Sequence, residues 1–275
     1  MNRYEPRGPV SGNPLVRRLL IALVLGWLGL LIVLPLYGIV KEVACSGPVA
    51  CLASLNEPGA LRAFTLTLWL TLGAVVTNTV MGTLLALVLV RQNFAGKLLM
   101  DGLIDLPFAV SPVIAGFMFI ILFGPGGWIG SLFEARGIKI IYAFPGMMIA
   151  TLFVTFPFVV REVVPVLREF GVEQEESAYV LGASKWQTFW RVTLPSIRWG
   201  LIYGITLTIA RSVGEFGAVL VVSGAIINKT QTATLLVHQK FTDFDYAGAF
   251  TAAVVLALIS FVTLLLLQYI QNRKG

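Results

Sequence analysis

Residues 175–195 read EESAYVLGASKWQTFWRVTLP, a polar interruption in an otherwise apolar chain. Between Arg161 and Arg198 stand five basic residues (Arg161, Arg168, Lys185, Arg191, Arg198) and five acidic ones (Glu162, Glu169, Glu173, Glu175, Glu176). They make ten of the 34 formal charges (20 Lys plus Arg, 14 Asp plus Glu). The stretch also carries its own helix punctuation. Glu173, Glu175 and Glu176 crowd a first turn, where negative charge suits the positive end of the helix dipole. Gly182 is placed to end that helix in the left-handed conformation. Ser184 opens SKWQ, a capping box in which Gln187 reaches back to the Ser184 amide. The second helix shows Trp186, Phe189, Trp190 and Val192, and Pro195 is expected to end it after Leu194. Two capped helices around a sharp corner make a rigid shape, and exposed aromatics on it ask for a protein pocket. The alternative is a solvated loop resting on lipid headgroups.

The surroundings settle the solvent. With 57% hydrophobic and 12% charged residues and a mean hydropathy of +0.86, the excess apolar surface must face lipid or other spanning helices. A bilayer core about 30 Å thick needs roughly 20 apolar residues per helix. Six such runs lie near 19–40, 63–90, 108–123, 142–160, 201–223 and 246–268, giving an all-α membrane protein. The third is short, preceded by Asp101 and Asp105 and interrupted by Pro107 and Pro112. The first exceeds a signal-peptide core of roughly 7–15 residues and reads as a retained anchor. With both termini on one side, that side carries thirteen basic residues against six opposite: Arg3, Arg7, Arg17, Arg18, Arg91, Lys97, Arg161, Arg168, Lys185, Arg191, Arg198, Arg273 and Lys274, against Lys41, Arg62, Arg136, Lys139, Lys229 and Lys240. The positive-inside rule then puts both termini, the tail 1–18 and the loop 161–198 in the cytoplasm of a single multi-pass domain, 1–275. The net charge of +6 is thus an orientation signal and not a nucleic-acid footprint. Cys45 and Cys51 fall in the first external loop, as a disulfide or as two free thiols.

Catalytic chemistry is missing. There is no His-Glu-x-x-His, no Gly-x-Ser-x-Gly and no clustered partner for the one histidine, His238, so neither an enzyme nor a metal site is expected. QNFAGKLL, around Gly96 and Lys97, has Arg91 where a phosphate loop needs its first glycine, and Leu98 where it needs Ser or Thr. ATP is not bound there.

The quoted loop resembles the EAA motif of ABC-transporter permeases, EAA-x3-G-x9-I-x-LP, standing here as Glu176-Ser177-Ala178, Gly182, Val192, Leu194 and Pro195 with every spacing kept. Ser177 replaces an alanine and Val192 the isoleucine. The runs 106–116 (LPFAVSPVIAG), 156–166 (FPFVVREVVPV) and 210–224 (ARSVGEFGAVLVVSG) are similar to the sulfate/thiosulfate permeases of the CysW type. That resemblance implies an importer permease of the type I fold, with no cofactor of its own. It implies a heterodimer with a CysT-type permease, two ATP-binding subunits carrying ATP and Mg, and a periplasmic sulfate-binding protein, in the bacterial inner membrane. Glu176, Ser177, Ala178, Gly182, Ala183, Ser184, Trp186, Phe189, Leu194 and Pro195 would then dock into an ATPase subunit as the coupling helix of an alternating-access cycle. A molybdate or tungstate permease is the nearest alternative. An ion-gradient secondary transporter or channel is another class, for which inverted repeats are expected, and none is visible.

Four residues are candidates for the translocation path. Arg211 and Glu215, four apart in the fifth run, can pair on one helical face, lending potential to an anion path, forming a gate or locking a helix interface. Ala210, Gly214 and Ala218 form a small-residue stripe beside them, and Gly200 and Gly204 repeat that spacing. Ser111, before Pro112, breaks the third run and can free backbone amides for an anion, or merely kink a packed helix. Asn78 shares a face with Thr67 and Thr71, hydroxyls that more commonly bond their own helix. His238 is expected at the surface.

Overall fold

The structure is a computed structural model describing residues 14–272. Residues 1–13, with Arg3 and Arg7, and the terminal Arg273 and Lys274 lie outside the described residues. Secondary structure among the described residues is helical throughout. α1 (Pro14–Leu28) and α2 (Leu34–Ser46) are joined by a π turn, Gly29–Val33, and α3 (Pro48–Leu55) follows. Then come α4 (Pro58–Arg91), α5 (Lys97–Ala109), α6 (Pro112–Phe123), α7 (Gly130–Glu134) and α8 (Phe144–Phe170). α9 (Glu173–Val180) and α10 (Lys185–Thr188) precede a second π turn, Phe189–Thr193, which leads into α11 (Leu194–Val213). α12 (Gly217–Ser223), α13 (Ala233–Thr242) and α14 (Tyr246–Asn272) complete the chain. Five helices are long and apolar enough to span a bilayer, or six if the bent pair α5–α6 counts as one span.

The core is α8 packed against α4 and α11, and the side chains explain why it closes. Val159, Val160, Val163 and Leu167 of α8 meet Ala86 and Leu89 of α4 and Ile197 of α11, all buried. α11 comes close because glycines stand at the contact. A Cβ on Gly200 would meet the Glu162 carbonyl oxygen at 2.7 Å, and one on Gly204 would meet Val159 Cα at 2.8 Å. In lipid, helices associate through such close packing, so the expectation for Gly200 and Gly204 holds. α6 and α12 pack on each other and on α8, α13 and α14 pair, and α2 and α3 lie on α14. Within the rod Leu15–Ser46, the most apolar stretch buries nothing against the rest of the chain. At the end bearing α3 and α13, Lys240 Nζ bonds Glu57 at 3.0 Å and Asp245 at 2.9 Å, tying α13 to the start of α4. The Lys240 ammonium and the Gly248 N–H together hold the Asp245 carboxyl below its ordinary range.

Several expected boundaries move. The tail 1–18 meets helix from Pro14, and the loop 161–198 begins as the last turns of α8, which runs to Phe170. The second loop helix does not stop at Pro195. A proline lacks the N–H for an i→i−4 bond and its ring crowds that carbonyl. The π turn absorbs both, with the Leu194 N–H bonding the Phe189 carbonyl five residues back. α10, the turn and α11 therefore form one helix, Lys185–Val213. Pro35 sits behind the same device, where the Leu34 N–H bonds Gly29. The third run is two helices, α5 and α6, bent by 112°. Ser111, at φ −57 and ψ 135, takes the extended conformation that a following proline imposes. The fifth run is also two helices: α11 ends at Val213 and α12 restarts at Gly217. The stripe Ala210, Gly214, Ala218 is therefore not one helical face.

Candidate functional site

The first element is the corner between α9 and α10. Gly182 stands at φ +84, directly after the cap residue Leu181. The Gly182 N–H bonds the Tyr179 carbonyl at 2.9 Å and the Ala183 N–H bonds Ala178 at 3.0 Å. That is a Schellman motif, satisfying carbonyls that the end of α9 would leave open. Two residues on, the Ser184 N–H donates to Gln187 Oε1 at 2.9 Å and the Gln187 N–H to Ser184 Oγ at 3.3 Å, completing the capping box.

The corner presents a greasy, acid-edged surface. Val180 and Leu181 are each 87% exposed and Trp186 is 70% exposed. Trp186, Phe189 and Trp190 pack edge to face or tilted, with centroids 5.5–6.3 Å apart. Glu173, Glu176, Ser177, Val180 and Leu181 line a cleft of about 570 Å³. Of the expected docking residues, Glu176, Ser177, Gly182, Ser184, Trp186 and Pro195 are exposed and Ala178, Ala183 and Phe189 half-buried. Leu194 instead packs on the core, so it anchors the corner. Ser177 Oγ donates to the Glu173 carbonyl at 2.7 Å, a bond within its own helix.

What fixes this corner to the bundle had no local signal. Arg91, the last residue of α4, bonds the Gly171 carbonyl at 2.5 Å and pairs with Glu175 at 3.1 Å. Glu175 Oε1 also accepts from Thr193 Oγ1 at 2.8 Å. One carboxylate thus joins α9, the end of α4 and the π turn before α11. A charge-assisted, largely buried arrangement of this kind fixes position as well as sign.

The second element lies at the two helix breaks. Residues 107–112, Val154, Phe158 and Arg211 line a cavity of about 420 Å³. Arg211 and Ser111 are thereby brought together. Arg211 Nη1 pairs with Glu215 Oε2 at 2.5 Å, but the partners are unequal, at 31% and 2% side-chain exposure. Glu215 lies beyond the end of α11, not on its face. Its Oε1 accepts the Ala218 N–H at 2.9 Å, holding the start of α12, and its carbonyl accepts from Thr234 Oγ1 of α13 at 2.7 Å. The backbone opens here because this carboxylate takes an amide that a continuous helix would have used. α12 can lie against α6 because Gly217, its first residue, faces Pro112, whose Cβ would be 3.1 Å from a Cβ there.

Asn78 is elsewhere. It is 2% exposed, and its Nδ2 donates to Thr155 Oγ1 of α8 at 2.7 Å, a bond that joins α4 to α8. Thr67 Oγ1 bonds its own Ala63 carbonyl and accepts the Ala233 N–H at the start of α13. His238 is exposed, its ring 5.2 Å from that of Phe216. Cys45 and Cys51 are both free thiols. Among the described residues no three His, Cys, Asp or Glu side chains cluster as metal ligands would.

The protein family described as "Binding-protein-dependent transport system inner membrane component" matches residues 78–275. The sulfate transport system permease protein CysW of Synechocystis sp. is 50% identical over 260 residues, 94% of this chain and 94% of that protein. The sulfate transport system permease protein CysT of Escherichia coli is 37% identical over 246 residues, 90% of this chain and 89% of that one. The fold recurs in the crystal structure of a bacterial alginate ABC transporter in complex with an alginate pentasaccharide-bound periplasmic protein. A chain there has a TM-score of 0.79 at 17% identity, with 94% of each chain covered. The match from Asn78 to the last residue, and the shared sequence along nearly the whole length, place the chain among the binding-protein-dependent transport system inner membrane components, and within them among the CysW-type sulfate permeases.

Proposed function

We propose that this chain forms half of the translocation pathway of an ATP-driven importer for sulfate or thiosulfate. As a permease subunit it is a transporter component of the inner membrane and not an enzyme. A CysT-type permease completes the pathway, two partner subunits bind ATP and Mg, and a periplasmic sulfate-binding protein delivers the anion. The chain is one permease domain, 1–275, whose tail 1–18, coupling loop 161–198 and both termini face the cytoplasm. The corner of α9 and α10 is the plug that an ATPase subunit grips, through Glu176, Val180, Leu181 and Trp186. The observation that carries the substrate class is Arg211 facing the cavity at the Ser111 break. A guanidinium there offers a fork of donors to two oxygens of a tetrahedral dianion, beside the freed start of α6. Closure of the motor would shift the α9–α10 corner and open the spans outward.

In the reconstituted importer, sulfate-loaded binding protein is expected to raise ATP hydrolysis several-fold over the unloaded protein. Stimulation by molybdate in place of sulfate would move the reading to the molybdate and tungstate permeases. Orientation is tested separately. Cys45, exposed at the end of α2, is expected to react with a membrane-impermeant maleimide in intact spheroplasts. Labelling only after lysis would invert the topology.

A further inference from the structure

Arg161 of α8 is held by two carboxylates of α5. Its Nε donates to Asp105 Oδ1 at 2.7 Å, Nη1 to Asp101 Oδ1 at 2.9 Å and Nη2 to the Asp101 carbonyl at 2.9 Å. Nη2 also lies 2.7 Å from Asp105 Oδ2. All three nitrogens of the fork are engaged, so the contact fixes the angle and height of α5 on α8 as well as their charge balance. The side chains are 30%, 36% and 53% exposed; a lone pair so exposed contributes little static stability, and a bidentate network of three groups contributes more. Holding α5 on α8 is one account of so complete a set of bonds.

Position gives a second. One turn along α8 from Arg161 is Phe158, and one turn along α5 from Asp105 is Phe108. Their rings meet edge to face at 5.5 Å and 74°. Both phenylalanines line the Arg211 cavity, with the last residues of α5 as one wall. In the other direction α8 continues unbroken to Phe170, and the Gly171 carbonyl is tied through Arg91 to Glu175 of α9. α5 packs chiefly on α8, and its far end is the Val110–Ser111 break. Ile104, buried with Met100 beside it in the core shared with α8 and α4, and the Phe108–Phe158 contact give α5 its apolar seat. The clamp is the polar tie that sets its register on α8.

We infer that the Arg161–Asp101–Asp105 clamp is a coupling strut, by which displacement of the α9–α10 corner, passing along α8, moves the α5 wall of the anion cavity. The inference rests on the reading of α9–α10 as the motor's contact. Arg161 is a positioning residue: it does not touch the anion. Without it α8 still answers the motor, but α5, held by apolar packing alone, follows less closely, and more ATP is hydrolysed for each anion delivered.

The test uses the complete importer in proteoliposomes with its sulfate-binding protein, measuring sulfate uptake and ATP hydrolysis together. Arg161→Ala, and the pair Asp101→Asn with Asp105→Asn, are expected to assemble and to hydrolyse ATP within about twofold of the parent. Uptake per ATP should fall about tenfold in each, a loss within the usual span of site-to-site coupling. Combining all three changes should cost no more than either alone, since they cut one link. Arg161→Lys, which keeps the charge but not the fork, should fall between. An unchanged ratio of uptake to hydrolysis overturns the strut. So does failure of all these variants, Arg161→Lys included, to assemble, because the clamp would then be a folding element. Gly182→Val run in parallel separates the two readings. If it stays coupled, the docking corner is wrong; if it uncouples while Arg161→Ala does not, only the strut is.

Discussion

Gly182→Val is expected to abolish sulfate uptake while leaving the spans inserted. Gly182 sits at φ +84, and beyond its own chain neighbours no atom lies within 4 Å of the place a Cβ would take. The cost is therefore backbone and not steric contact with neighbours. A left-handed residue with a Cβ costs roughly 1–2 kcal/mol, and a β-branched one is a genuine outlier there. That is small against the stability of a long-helix bundle but large for the turn itself, which two Schellman bonds close at the end of the eight-residue α9. Relief comes by letting the corner turn elsewhere, which swings Val180 and Leu181 away from Trp186 and dissolves the surface. Gly182→Asn, a residue that tolerates the left-handed region, should keep most activity. The measurement is recovery of the ATPase subunits with each variant, alongside uptake. A Gly182→Val importer that keeps its ATPase subunits and transports normally would remove the docking role from this corner.

That corner could be read from sequence because every bond defining it closes within five residues. A Schellman glycine, a Ser-x-x-Gln box and an acidic first turn are local signals, and local signals survive without a fold. The anchor beneath it was not legible. Arg91 and Glu175 are 84 residues apart, and nothing near either one announces the other. Arg161 is likewise 56 and 60 residues from its carboxylates. Asp101 and Asp105 looked only like a blurred start to the third span. The prolines show a different limit. Pro195 is a helix stop by its missing N–H, yet one wide turn before it carries the helix through to Val213. Hydropathy also joined α11 to α12, since Gly214 and Glu215 weigh little in an apolar window. The break depends on where the Glu215 carboxylate points, toward the Ala218 N–H, and no periodicity encodes that.

The break also decides what replacing Arg211 should do. Arg211→Ala leaves the Glu215 carboxylate 2% exposed with the Ala218 N–H as its remaining side-chain bond. Breaking a fully buried pair costs about 3–5 kcal/mol. Here the cost should fall toward or below the lower end, because Arg211 itself is 31% exposed and water can enter where the guanidinium was. Some loss of assembled importer is therefore expected from Arg211→Ala alone. Adding Glu215→Gln removes the stranded charge and keeps an amide oxygen for Ala218, so assembly should return to near the parent level. Uptake should not return with it. If Arg211 supplies positive potential and paired donors to a dianion crossing the cavity, the assembled double variant should carry less than about a tenth of the parent flux, a loss of some 1.4 kcal/mol or more in transit. Arg211→Lys keeps the charge but offers a point donor in place of a fork, and partial uptake is expected. Sulfate flux and subunit recovery for the four proteins, Glu215→Gln alone included, separate the possibilities. Full transport by the double variant would make Arg211 and Glu215 a structural pair that merely holds α11 to α12, and the anion would need another guide past the Ser111 break.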